Sequence, residues 1–347
     1  MIVPRAAALA AAALLAVAFV GVVSADAQAV SGSYIYTLSS FTGAIPYNHS
    51  RVAVDRERNE VYVLYQNTIR VFNDSGMEVY RFGDDLDVGQ IVDLAVDDRG
   101  DILLLTYRDG RNGIVRCDYR GRARGQTTLT ALPRDFADFT ANRMAFHRGT
   151  LLLASTLGLK IAVVDLEGRF VKGHDLFRLF ELEEKDRGVT ELSGFSVDAK
   201  GNVLMTVAVL FRAFVLAPDG TLQAFGRAGG GPGRFNIAGG IARDSRDNIL
   251  IVDKLKGGVL IFDRQLSFVS QLSGYGIKRG QLVFPDDLVI DTGDRVYVTQ
   301  TGRRGVSVFK LAHAADLAVA TKGVGRAQKT EGVEPQDVSG TPSGRGK

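Results

Sequence analysis

Short apolar runs separated by polar turns recur along most of the chain, and no stretch holds a helical period for long. The runs RVAVD (51–55), DLAVD (93–97), RMAFH (143–147), GFSVD (194–198), GIARD (240–244) and DLVID (287–291) align without gaps. Each is followed, after a polar turn, by a second run: VYVLY (61–65), ILLLT (102–106), LLLAS (151–155), VLMTV (203–207), ILIVD (249–253) and VYVTQ (296–300). A third run follows, as in IRVFN (69–73), IVRCD (114–118), LIFD (260–263) and VSVF (306–309), then a turn and a weaker fourth segment such as TLQAFG (221–226). The last positions of the first runs lie 42, 50, 51, 46 and 47 residues apart. Strands at this period, β-branched and bounded by turns, predict an all-β fold: a six-bladed β-propeller of four-stranded antiparallel blades.

A ring needs a closure, and the sixth repeat lacks a fourth strand of its own, running after Leu311 into the Ala-rich AHAADLAVATKG. The segment SYIYTLSSFTG (33–43) has a fourth-strand pattern with no blade before it. Tyr34 to Leu38 is therefore expected to supply the outer strand of the last blade and remove an open seam. The domain limits that follow are 30–311 for the propeller and 312–347 for a flexible tail poor in large apolar residues.

The stretches GRFNIAGGIARDSRDNILIVDKLKGGVLIFD (233–263) and RGQLVFPDDLVIDTGDRVYVTQTGRRGVSVF (279–309) resemble the NHL-repeat family of six-bladed propellers. Pro285 stands where that family has a Pro before the first strand, and Asp253 where it has an Asp at the end of the second. The likeness spans about residues 33 to 311 and is weakest in the third and fourth repeats. It implies an exported bacterial type with a scaffold role in an envelope or extracellular assembly, including assemblies with multihaem cytochromes.

Residues 1–29 carry a single cation, Arg5, an apolar run from Ala6 to Val23, and Ala27 and Ala29 in a small-x-small site, the layout of a secretory signal peptide. The run is long enough to raise the alternative of an uncleaved anchor, but it is dominated by Ala and the small-x-small site follows directly; cleavage after Ala29 leaves no transmembrane anchor and sends the protein to the periplasm or the exterior, as a monomer when alone. The charge of +3, from 42 basic and 39 acidic residues, is scattered, so a nucleic-acid partner is not indicated. Cys117 is the only cysteine and aligns with Phe72, Phe262 and Phe309, the setting of a buried inert thiol. No CxxCH for c-type haem and no Gly-x-Ser-x-Gly elbow occurs.

The glycines of GGGPGRFNIAGG (229–240) do not form a phosphate loop, because no Lys-Ser/Thr and no helix follows them. Instead, the starts of the first strands should crowd one mouth of the channel and form a ring: Arg51, Asp93, Arg143, Gly194, Gly240, Asp287. Four positions alternate in charge, which either neutralises the mouth or frames a gap left by the two glycines, with Asp253 and Asp287 on its rim. The turn beside that gap reads VAVLFRAF (207–214) where other blades are polar. Val209, Leu210 and Phe211, if exposed, are the apolar patch expected of a protein-docking site, together with Gly240, Asp253 and Asp287; the other reading folds the turn inward.

Of four histidines only His49 stands near that mouth. His147 ends its strand at the far side, His174 follows the third blade and His313 is placed past the propeller. No His-based metal centre and no cofactor is expected, and a lactonase-like calcium site on Asp93, Asp253 and Asp287 is the oxygen-ligand alternative, opposed by Arg51 and Arg143. Asp55, Asp97, Asp198, Asp244 and Asp291 recur before DDRGD-like turns, where Asp bonds nearby backbone N–H groups. Binding of a protein partner is the function expected. A metal-dependent hydrolase or lyase is the rival, and glycan binding is disfavoured by the lack of Trp.

Overall fold

The computed structural model describes residues 30–40, 43–44, 50–55, 57–301 and 304–313. Residues 1–29, where a signal peptide is expected, His49 and residues 314–347, the expected tail, lie outside the described residues. Six four-stranded antiparallel sheets follow one another along the chain. Blade 1 comprises Arg51–Asp55, Glu60–Tyr65, Thr68–Phe72 and Glu78–Phe82. Blade 2 comprises Gln90–Val96, Ile102–Arg108, Arg111–Cys117 and Ala123–Thr128, and blade 3 Arg143–His147, Thr150–Ser155, Lys160–Asp165 and Phe170–Asp175. Blade 4 is built from Gly194–Val197, Val203–Val207, Arg212–Leu216 and Leu222–Phe225, and blade 5 from Ala238–Arg243, Ile249–Asp253, Gly258–Phe262 and Phe268–Leu272.

Blade 6 joins Pro285–Ile290, Arg295–Gln300 and Val306–His313 to Val30–Thr37. The N-terminal strand thus closes the ring as expected, starting four residues earlier than Tyr34. Val30 lies opposite His313 and Thr37 opposite Ser307, and the Leu38 N–H donates to Val306 O at 2.9 Å. The third strand correspondingly runs past the expected limit at Leu311. His313, placed beyond the propeller by the sequence reading, is a buried strand residue 3.4 Å from an Asp294 carboxylate oxygen. The Ala-rich composition concealed this, because Ala312 and His313 gain their place by pairing with Ser31 and Val30.

Strand side chains alternate between sheet faces, so each blade buries one set against each neighbour. Val61 and Val63 enter the cluster shared with blade 6, while Tyr62 and Leu64 enter the cluster shared with blade 2. The remaining clusters sit between blades 2 and 3, 3 and 4, 4 and 5, and 5 and 6. Burying these interfaces rather than one central core leaves the axis free for polar groups. Cys117 lies in the blade 1–2 cluster, where burial pushes its thiol up to about 12, well above physiological pH.

The recurrent Asp residues hold the turns after the first strands. Asp97 Oδ1 accepts from the Arg99 and Asp101 N–H groups, Asp198 Oδ1 from Lys200 and Asn202, and Asp244 Oδ1 from Arg246 and Asn248, all at 2.8–2.9 Å. These turns form the lower mouth. The opposite, upper mouth gathers the starts of the first strands and the turns between second and third strands.

Candidate functional site: the upper channel mouth

Three first strands carry a bulge at the upper mouth, between Ile91 and Asp93, Ala238 and Ile241, and Pro285 and Leu288. A bulge re-aims the residue beside it, and here those residues are Asp93, the Gly239–Gly240 pair and Asp287. Arg143 crosses from blade 3 to blade 6, which stands opposite it in a ring of six. Its Nη2 donates to Asp287 Oδ2 at 2.7 Å, its Nε lies 3.4 Å from Asp93 Oδ2 on blade 2, and all three residues are buried. Arg51 Nη1 lies 3.6 Å from the same Asp287 oxygen. The four charged members of the expected ring therefore form one cluster across the axis.

The remaining carboxylate valences go to the backbone, while the buried Arg143 Nε makes no hydrogen bond among the described residues. Asp93 accepts from the Met144 and Leu94 N–H groups at 2.7 and 3.0 Å, and Asp287 Oδ1 from the Leu288 N–H at 2.9 Å. Burial holds the Asp93 carboxyl above its ordinary range, although Arg143, Arg51 and the two N–H groups pull it down. The neighbouring Arg143 charge, with burial, lowers the Arg51 guanidinium.

The gap expected between Gly194 and Gly240 is absent. A Cβ on Gly194 would lie 2.3 Å from Gly239 O, and one on Gly240 would lie 2.3 Å from Asp287 Oδ1 and 2.7 Å from Asp287 Cα. These glycines admit backbone contact between the first strands of blades 4, 5 and 6, so they fill the mouth. Thr206 Oγ1 donates to Gly239 O at 2.5 Å across the same junction.

Asp253 is fully buried and sits apart from the axial cluster, accepting from the Asn236 and Lys256 N–H groups at 2.7 and 3.1 Å. The donor set for calcium is thus divided: Asp93 and Asp287 are bound to arginine and Asp253 orders a turn. Among the described residues no group of three or more His, Cys, Asp or Glu side chains is arranged to hold a metal ion. His147 lies at the lower side near the Gly201 turn, and His174 is half-buried on a fourth strand, where burial lowers its imidazole.

The apolar turn of blade 4 divides. Ala208–Leu210 form a 3-10 turn ended by Phe211 in the left-handed region, φ 52°. Val209 and Phe211 stand 53% and 36% exposed, whereas Leu210 packs on the core between blades 3 and 4. Sequence reasoning missed a wider set of exposed apolar residues on this face. Ile237 and Phe284 immediately precede first strands, Leu255 tips the blade 5 turn, and Tyr275 and Ile277 lie on the connection from blade 5 to blade 6. Their signal was legible in the glycine-flanked apolar letters of NIAGG (236–240) and SGYGIKRG (273–280).

The lower mouth contrasts with this filled end. A recess of about 440 Å³ opens there over Val54, Val197, Ala242 and Val289. Its polar rim is internally paired, Arg243 with Asp198 at 2.8 Å and Lys200 with Asp247 at 2.7 Å.

No family model matches the chain, and no curated protein does. Solved structures share the fold at low identity. A Bacteroides thetaiotaomicron protein of unknown function aligns at 15% identity and TM-score 0.60, over 82% of this chain and 76% of that one. Virginiamycin B lyase from Staphylococcus aureus aligns at 11% and 0.53, over 82% and 99%, and a gluconolactonase from Xanthomonas campestris at 13% and 0.53, over 82% and 92%.

Proposed function

We propose that this six-bladed propeller is an exported binding protein of NHL type that docks a protein partner through its upper face, in an envelope or extracellular assembly. One observation carries the reading: among the described residues, the charged groups on the axis of the upper mouth are paired with one another. Arg143 ties Asp93 to Asp287 across the axis, so these two carboxylates offer a channel-centred hydrolase or lyase neither a free base nor an open metal position. Around this closed centre apolar side chains stand exposed, the usual mark of a contact surface. The N-terminal segment supports export.

The test places a photoreactive amino acid at Phe211, on the upper face, and at Ser245, an exposed residue on the lower one. In the host's envelope fraction the first position is expected to give one protein adduct and the second none. Adducts from Ser245 alone, or stoichiometric zinc or calcium in the purified protein, would overturn the reading in favour of a lower-face contact or an enzyme.

A further inference from the structure

Five of the exposed apolar residues of the upper face, Ile237, Leu255, Tyr275, Ile277 and Phe284, gather over blades 5 and 6. The connection 226–237 and the connection 273–284 both fold onto the blade 5 turn that carries Leu255. Lys256 Nζ donates to Gly231 O at 2.7 Å, and the Lys254 N–H donates to Ile237 O at 2.9 Å. On the other side a Cβ on Gly257 would lie 2.4 Å from Tyr275 Cα. Tyr275 packs edge-on against Phe284 at 5.8 Å, and Arg304 Nη2 donates to Ile277 O at 3.0 Å. Ile237, Leu255, Tyr275, Ile277 and Phe284 therefore belong to one continuous surface, whose most exposed residue, Ile277, is 79% exposed.

The charges of this surface are of one sign. Residues 226–237, 254–257 and 273–284 include no Asp or Glu, and Arg227, Arg234, Lys278 and Arg279 are all exposed. None of these four has a carboxylate within ion-pair reach among the described residues; Arg279 instead lies over the Tyr34 ring at 5.3 Å. Asp286 is occupied by Lys254, and Asp253 and Asp287 are buried. Four unneutralised cations beside five exposed apolar side chains ask for an anionic partner with apolar side chains of its own.

We infer that this part of the upper face receives an acidic protein segment bearing Leu- or Phe-type side chains. The inference rests on the docking reading above and names the chemistry of the partner. A membrane fits less well, because the same face carries the acidic connections DDLD (84–87) and ELEEKDRGVTE (181–191) over the other blades. A flat anionic bilayer would meet both signs at once, whereas a protein can match the asymmetry.

Three probes test it: a synthetic peptide alternating Glu with Leu and Phe, the same peptide with Lys for Glu, and vesicles of phosphatidylglycerol in phosphatidylcholine. The acidic peptide is expected to bind saturably and to weaken as salt rises. Binding should fall about tenfold or more in the Arg227→Glu, Arg234→Glu, Lys278→Glu, Arg279→Glu variant and again in Ile277→Asp, with the melting temperature of each unchanged. If the combined variant fails to fold, Lys278→Glu alone and the salt series make the same comparison. Equal binding of the Lys peptide, no binding of the acidic one, or vesicle binding lost in the same variants would overturn the inference. A cross-link at Phe211 that persists after such a result leaves the docking reading intact and removes only the acidic chemistry.

Discussion

Blades 4 to 6 and blades 1 to 3 solve the same problem, bringing first strands together around an axis, in different ways. In blades 4 to 6 Gly194, Gly239 and Gly240 let backbone meet backbone, with contacts that any side chain would break. In blades 1 to 3 the buried Asp93 and Arg143, with the partly buried Arg51, fill the axis with charge. The connections differ in parallel: glycine, arginine and apolar residues beside blades 5 and 6, carboxylates between blades 1 and 2 and between blades 3 and 4. A propeller that is regular in its strands is therefore two-sided at its upper face, and under the docking proposal the side rather than the axis is what a partner would read.

The largest effect should come from removing what both halves depend on. Deleting residues 30–37 strips the outer strand of blade 6, with Val30 from the blade 5–6 core and its carbonyl from Ser270. The expected fall in Tm is about 10 °C or more, at ~2–4 °C per kcal/mol for a domain near this size, read by calorimetry. An unchanged Tm would remove the closure from the account.

Next, Arg143→Ala leaves Asp93 and Asp287 buried without their counter-charge, and denaturant titration should show a loss of about 3–5 kcal/mol. Its pH dependence has a definite sign. The Asp93 carboxyl already titrates above its unfolded value because of burial. A raised folded value means that its contribution favours folding fully below the unfolded value and is lost as pH rises through the folded one. Removing Arg143 raises the folded value further, so the deficit against the parent should be smaller near about pH 4 than near about pH 7. A deficit independent of pH would deny the charge origin of this half.

Gly194→Val tests the other half by sterics alone. Its Cβ would strike Gly239 O and Thr206 Oγ1, away from the charged cluster, so a loss of about 1–3 kcal/mol is expected, with no pH dependence beyond that of the parent. The smallest stability effect belongs to the exposed pair Val209→Asp with Phe211→Asp, within about 0.5 kcal/mol by denaturant titration, while the cross-linkable contact is lost. Leu210 does not serve for this purpose, since it is packed on the core and its loss would be read as unfolding.

Most of the fold was legible because its signals are local and repeated. Alternating apolar runs marked the blades, Asp97, Asp198 and Asp244 marked their turns, and SYIYTLSSF marked the closing strand by having no blade of its own. The mouth was legible in composition but not in connection. A ring read in blade order pairs neighbours, whereas Arg143 is long enough to reach the opposite blade, and the bulges that turn Asp93 and Asp287 toward it leave no mark in a periodic pattern. Gly240 read as empty space for a similar reason, because a missing side chain does not say whether solvent or a neighbouring backbone takes its place. His313 was lost to its Ala-rich surroundings, and the basic apolar surface to its division among two connections and a turn that come together only in the folded ring.

Hydrogen exchange of the protein with and without the acidic Glu/Leu/Phe peptide compares the two sides directly. The account predicts new protection at residues 227–237 and 273–284, with the acidic connections 83–89 and 181–191 and the lower-mouth turns unchanged. Protection centred on the acidic connections, or on the recess at the lower mouth, would contradict it.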